Sequence, residues 1–209
     1  MTIGIVSSVF GSKYYGFVLG WSEALAGLET TPHIITVIHD GIPEEIRSAA
    51  EEYINVSWVY KNRGDVFHPQ VHVNDVIGIT NTAWIIKADI DDRLLPHALN
   101  GIDSNPADIV NFGYRIGDNQ YPSRPITAER ILEKENNPMG SCSPFRKTVW
   151  ENNRFQDLFF DDWAFWIGAA RAGATFDHTG RVDYVYSVHP EQISHKINSS
   201  IAHEQIRSL

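Results

Sequence analysis

Apolar runs along the chain alternate with stretches of helical period. Ile3-Gly4-Ile5-Val6-Ser7-Ser8-Val9-Phe10 is a continuous apolar run closed by Gly11 and reads as a buried strand. Over 15–28, Phe17, Leu19, Trp21, Leu25 and Leu28 fall on one broad side of a helix, which Thr31-Pro32 ends. Residues 33–39 are β-branched and stop at the Asp40-Gly41 turn. Pro43-Glu44-Glu45 opens a helix, with proline early and acids in the first turn. A strand over 56–60, a helix over 71–80 and a strand over 83–88 follow, the last running directly into Asp89-Ile90-Asp91-Asp92. Strands alternating with helices predict a parallel sheet with right-handed crossovers.

The second half is less regular. Residues 109–113 read as a strand. The span 115–144, with Gly117, Pro122, Pro125, Pro138 and Gly140, reads mostly as loop with a short helix over 128–134. A helix over 161–172 carries Trp163, Trp166, Ile167 and Ala170 on one face and stops at Gly173. Residues 182–188 read as a late strand, and the tail beyond Pro190 is polar, with His195 and His203.

The chain has 209 residues, 43% hydrophobic and 21% charged, which fits one globular domain and excludes disorder and coiled coil. No run approaches the ~20 apolar residues of a membrane span. No signal peptide is apparent, and the single cysteine, Cys142, cannot form an internal disulfide, so a cytoplasmic protein is expected. A net charge of -9 argues against a nucleic-acid partner without excluding a local basic patch.

In open α/β sheets ligands bind beyond the carboxyl ends of the strands. Phe10-Gly11, Asp40-Gly41 and Asp89-Ile90-Asp91-Asp92 all fall at such ends, so a parallel sheet gathers them on one rim. Three carboxylates within four residues repel one another. They read either as a solvated acidic turn before a helix or as a site for Mn²⁺ or Mg²⁺ on a diphosphate, and the rim position favours the second. Asp161-Asp162 reads either as helix-capping acids or as a general base, partly desolvated by Phe159, Phe160, Trp163 and Phe165. The histidines lack zinc spacing: His68 and His72 are four apart only across Pro69. P-loop, dinucleotide-binding and nucleophile-elbow motifs are absent.

The ordered set Ala88-Asp89-Ile90-Asp91-Asp92 with Leu95-Pro96, then Ser143-Pro144-Phe145-Arg146, then Phe160-Asp161-Asp162-Trp163-Ala164-Phe165-Trp166, then Tyr186-Ser187-Val188-His189 resembles family 2 glycosyltransferases of the GT-A fold, from Ile3 to about Ser194. The resemblance implies a single GT-A-type α/β domain, with a nucleotide-binding half over 1–113, an acceptor-side half over 114–195 and a polar tail over 196–209. It implies a nucleotide-sugar donor, UDP-linked before GDP-linked, a divalent metal, and inverting transfer to an acceptor that the sequence does not name. Carried onto this chain, Asp40 would bind the base, Asp89 the ribose, and Asp91 with His189 the metal. Asp162 would be the catalytic base with Asp161 beside it, and Phe10, Arg146 and Trp163 would contact substrate. Asp161 stands where the family has Glu, and Ser187 where it has Arg. The Q-x-x-R-W motif of polymer synthesis is missing.

Two other readings stay open. A phosphatase of the haloacid-dehalogenase type also places D-x-D after a strand, though usually the first strand. A catalytically silent sugar-nucleotide or glycan binder would use the tryptophans for stacking, although Trp163 and Trp166 have core spacing.

Overall fold

The computed structural model describes residues 2–64, 66, 69–190 and 199–209; His68 and His195 lie outside the described residues. Its strands are β1 Ile3–Val9, β2 Ile34–His39, β3 Ser57–Tyr60, β4 Trp84–Lys87, β5 Arg93–Leu94, β6 Ile109–Ile116, β7 Asn119–Tyr121, β8 Phe145–Arg146 and β9 Phe176–Val185. The α-helices are α1 Val18–Ala26, α2 Glu44–Glu51, α3 Val73–Ile79, α4 Ala128–Leu132, α5 Lys147–Asn152, α6 Asp161–Arg171 and α7 Ser199–Ser208. Short 3-10 turns, Ser12–Phe17 and Pro69–His72, lead into α1 and α3.

The strands join in one sheet ordered β3-β2-β1-β4-β8-β6-β9-β5, with β7 beside β6. The half expected to be parallel is parallel: β1 pairs with both β2 and β4, and β2 with β3. All seven residues of β1 are buried, as a central strand covered on both faces requires. The alternation of side chains then divides the core. Ile3, Ile5 and Val9 join Trp21 and Leu25 of α1 on one face. Val6 and Ile85 join Val76 of α3 and Trp163, Trp166 and Ile167 of α6 on the other.

The second half departs from the sequence-based expectation. Strand β8 inserts between β4 and β6 and runs antiparallel to both. The opening of the span expected to be loop is instead a β6–β7 hairpin, with Ile116 opposite Asn119 and Tyr114 opposite Tyr121. Its two-residue turn has Gly117 at φ 55°, a conformation that suits glycine. The short helix in that span does form, as α4, with Thr127 accepting the Arg130 N–H at its start. Strand β9 begins and ends earlier than the late strand expected over 182–188. The polar tail contains α7, whose Ala202 and Ile206 are buried. No helix among the described residues is long and apolar enough to cross a membrane.

Candidate active site

A cavity of about 460 Å³ opens at the carboxyl ends of β1 and β4. Phe10 and the acidic turn form one wall; β6, β9 and the start of α6 form the other. This is the rim that a parallel sheet predicts for ligands.

The acidic turn is held from several sides. Arg93 donates from Nη1 to the carbonyls of Ile90 and Asp92 and from Nη2 to that of Phe17. Asp92 is buried and accepts the Ser187 N–H at 3.0 Å, while the Ser187 hydroxyl donates to the Asp91 carbonyl. Asp92 therefore does not face the ligand space freely; it fastens the turn to the chain leaving β9. That chain carries His189, whose Nε2 lies 2.8 Å from Asp91 Oδ2. Phe17 and Tyr14 hold the His189 ring, with centroids at 4.5 and 6.3 Å. Burial pushes the Asp92 carboxyl well up, and Asp89 and Asp91 add to this. Asp89 is also raised by burial; Lys87 opposes that rise and Asp91 reinforces it.

Asp91 and His189 offer one carboxylate oxygen and one imidazole nitrogen. No group of three or more candidate ligands occurs among the described residues. The pair cannot enclose an ion alone. With further ligands supplied from outside the chain it could hold a divalent cation, and the nitrogen donor suits Mn²⁺ better than Mg²⁺.

Beneath the turn lies Lys87, the last residue of β4. Its side chain is 4% exposed, with Nζ 3.2 Å from Asp161 and 3.4 Å from Asp89. Burial alone would lower its pKa, but Asp161, Asp89 and Asp162 outweigh it and raise the value, so the ammonium stays charged. Sequence reading missed this residue. The available signal was a lysine in the run Ile85-Ile86-Lys87-Ala88: a charge inside a buried strand must find an opposite charge.

Asp161 and Asp162 open α6, and both line the cavity. Asp161 is buried against Lys87. Asp162 lines the cavity and accepts a hydrogen bond from Asn137 Nδ2 at 2.9 Å. Burial first, and then the neighbouring Asp161 charge, push the Asp162 carboxyl up to about 6, with Lys87 opposing. A carboxylate of that strength is mostly ionised at neutral pH yet basic enough to take a proton.

The remaining sequence candidates are dispersed. Phe10 lines the cavity. Trp163 also lines it, but is only 2% exposed, and its Nε1 has no hydrogen-bond partner among the described residues. Asp40 is not among the lining residues; its Oδ1 accepts the Gly11 N–H at 3.0 Å and ties the ends of β1 and β2 together. Arg146 is not brought to the rim. Because β8 is antiparallel, Arg146 pairs with Trp84 at the start of β4, stacks over that indole at 4.7 Å and donates to the carbonyls of Ala107 and Asn105. His203 of α7 is an unanticipated lining residue, edge-on to Phe160 and Trp163 at 5.4 and 5.7 Å.

No protein-family model matches the sequence, and no curated protein matches it. Solved structures do match the fold. S. aureus TarS 1-349 in complex with UDP-GlcNAc matches with a TM-score of 0.73 at 15% identity, over 94% of this chain and 61% of that one. The mannosyltransferase PcManGT from Pyrobaculum calidifontis, in complex with GDP-Man and Mn²⁺, matches with a TM-score of 0.70 at 13% identity, over 98% and 64%. The chain thus spans less than two thirds of the length of either structure. At such identities the likeness is one of fold: the chain has the GT-A-type α/β fold of these glycosyltransferases.

Proposed function

We propose that the protein transfers a sugar from a nucleotide-diphosphate donor, UDP-linked before GDP-linked, to an acceptor hydroxyl with inversion at the anomeric carbon. One observation carries the reading. A carboxylate raised to about 6, Asp162, shares a rim cavity with Asp91, whose Oδ2 lies 2.8 Å from His189 Nε2. Neighbours of the same fold hold UDP-GlcNAc, or GDP-Man with Mn²⁺.

In this reading Asp89 holds the ribose and Phe10 packs on the nucleotide, while Asp40, which does not line the cavity, fixes the rim by tying the end of β1 to that of β2. Asp91 and His189 would hold the divalent cation, which when bound offsets the charge of the departing nucleoside diphosphate. Asp162 accepts the acceptor's hydroxyl proton as the new carbon–oxygen bond forms. The bond from the anomeric carbon to the diphosphate oxygen breaks on the opposite face, which gives inversion. Such a base contributes typically 10²- to 10⁴-fold. Lys87 does not react. It balances Asp161 and Asp89, so that the carboxylates can share one site without expelling each other's charge. The phosphatase alternative is set aside, because the acidic turn follows β4 and not the first strand.

The test is calorimetry with UDP and GDP, each with Mn²⁺ and with EDTA, beside a turnover assay on Asp162→Asn. A transferase binds UDP in the Mn²⁺-dependent manner and loses turnover in the variant. Donor binding with no turnover in either protein supports the silent binder instead.

A further inference from the structure

We propose that the acceptor is a neutral carbohydrate and that one of its pyranose rings stacks on a platform made by Tyr114, Tyr121 and Tyr186. This rests on the transferase reading, since it assigns the acceptor side of the same cavity.

The platform is built by strand register. Tyr114 on β6 sits directly across from Tyr121 on β7, and their rings stack at 5.1 Å and 29°. Tyr184 and Tyr186, from β9 and the residues just after it, bring their rings to 5.8 and 6.2 Å from Tyr114. Tyr184 is buried, and its hydroxyl accepts the Ser141 N–H at 3.1 Å, so the layer has a fixed base. Tyr114, Tyr184 and Tyr186 line the cavity. Tyr121 continues the surface outward and is 46% exposed. Its ring extends the surface from the reaction cavity into solvent.

The chemistry around it selects the ligand. A pyranose has an apolar C–H face and a rim of hydroxyls. Tyrosines match both, with flat apolar rings and polar tips. Asn136, Asn137 and Ser141, which also line the cavity, add neutral amide and hydroxyl groups for the sugar rim. The lysine and arginine residues among the described lining residues, Lys13, Arg63 and Lys87, follow β1 and β3 or end β4; none comes from β6, β7 or β9. A phosphorylated or nucleic-acid acceptor would want cations here, and the chain as a whole carries a net charge of -9.

The test is saturation-transfer NMR on the full chain, with and without UDP and Mn²⁺. The probes are the methyl pyranosides of glucose, galactose, mannose and N-acetylglucosamine, with sorbitol and a serine-containing peptide as comparators. We expect transfer to the ring C–H protons of at least one pyranoside and none to sorbitol, which has the hydroxyls but no ring. Tyr121→Ala, at an exposed position, should weaken that binding about three- to tenfold, and Tyr121→Trp should retain it. Absence of transfer to every pyranoside overturns the platform, as does transfer unaltered in Tyr121→Ala or transfer to the peptide alone. A UDP titration of the same sample decides the donor reading separately: a chain that binds UDP but no pyranoside keeps its donor site and loses the platform. A chain that binds a pyranoside through Tyr121 but no UDP keeps the platform and loses the donor site.

Discussion

His189 Nε2 and Asp91 Oδ2 lie 2.8 Å apart although 98 positions separate them in the chain. The contact closes the acidic turn against the chain leaving β9, and Ser187 reinforces it from two residues away. The two side chains most suited to a cation are thus placed by different parts of the fold, and each depends on the other part being in place.

Metal dependence should follow that pair. In the intact protein, UDP should bind at least about tenfold more tightly in Mn²⁺ than in EDTA, and His189→Ala should lose that gain. Calorimetry reads both. Equal affinity in EDTA and Mn²⁺ for the unaltered protein would remove the metal role of Asp91 and His189.

The base should show itself in the pH profile. With Asp162 raised to about 6, kcat/KM should climb as the pH passes through about 6 and then level off. Asp162→Asn should cut transfer by about 10²-fold or more, because the proton has nowhere to go. The stability effect has the opposite sense. The native state holds this proton more tightly than the unfolded chain does. The stabilisation is complete below the ordinary carboxylate range and is lost as pH rises through about 6. Asp162→Asn should therefore raise Tm at pH 8, with the difference narrowing toward pH 4. A variant both fully active and no more stable at pH 8 contradicts the assignment.

Lys87 should matter for stability as well as for the site. Lys87→Met leaves the buried Asp161 without its counter-charge and should destabilise the fold by about 3–5 kcal/mol. Adding Asp161→Asn should recover part of that loss, which urea unfolding of both variants measures as a coupling. Strictly additive losses would mean that the two charges do not act as a pair.

The junction of β6, β7 and β9 should tolerate no side chain at Gly113. A Cβ there would stand 2.3 Å from the Arg181 carbonyl oxygen, 2.4 Å from the Ser123 nitrogen and 2.6 Å from the Tyr121 oxygen, all backbone atoms. Gly113→Ala should cost about 3 kcal/mol, the upper end of overpacking. Gly117→Ala, in the open hairpin turn, should cost only about 1 kcal/mol through its positive φ. Thermal unfolding of the two variants gives the order.

Local pattern by itself determined the alternating first half, the strand ends at Phe10, Asp40 and Asp89, and the start of α6 at Asp161. Each of these is written in neighbouring residues: an apolar run, a turn former, a helical period. The β6–β7 hairpin was also legible, since Gly117-Asp118 between strand-like residues is a hairpin signal, but it lay hidden among the prolines and glycines around it. Other features belong to the tertiary structure alone. Arg146 has the same neighbours in sequence whichever way β8 runs, and the antiparallel pairing sent it to the start of β4, away from the rim. Lys87 is a lone cation until folding brings Asp161 beside it. Helix α7 is a polar segment until Ile206 joins the core on α6's side and Ala202 is buried. Periodicity constrains which face a residue takes over a few positions. Strand order, strand direction and the pairing of distant charges are settled only when the whole sheet buries its faces together, and these decide which residues meet at the site.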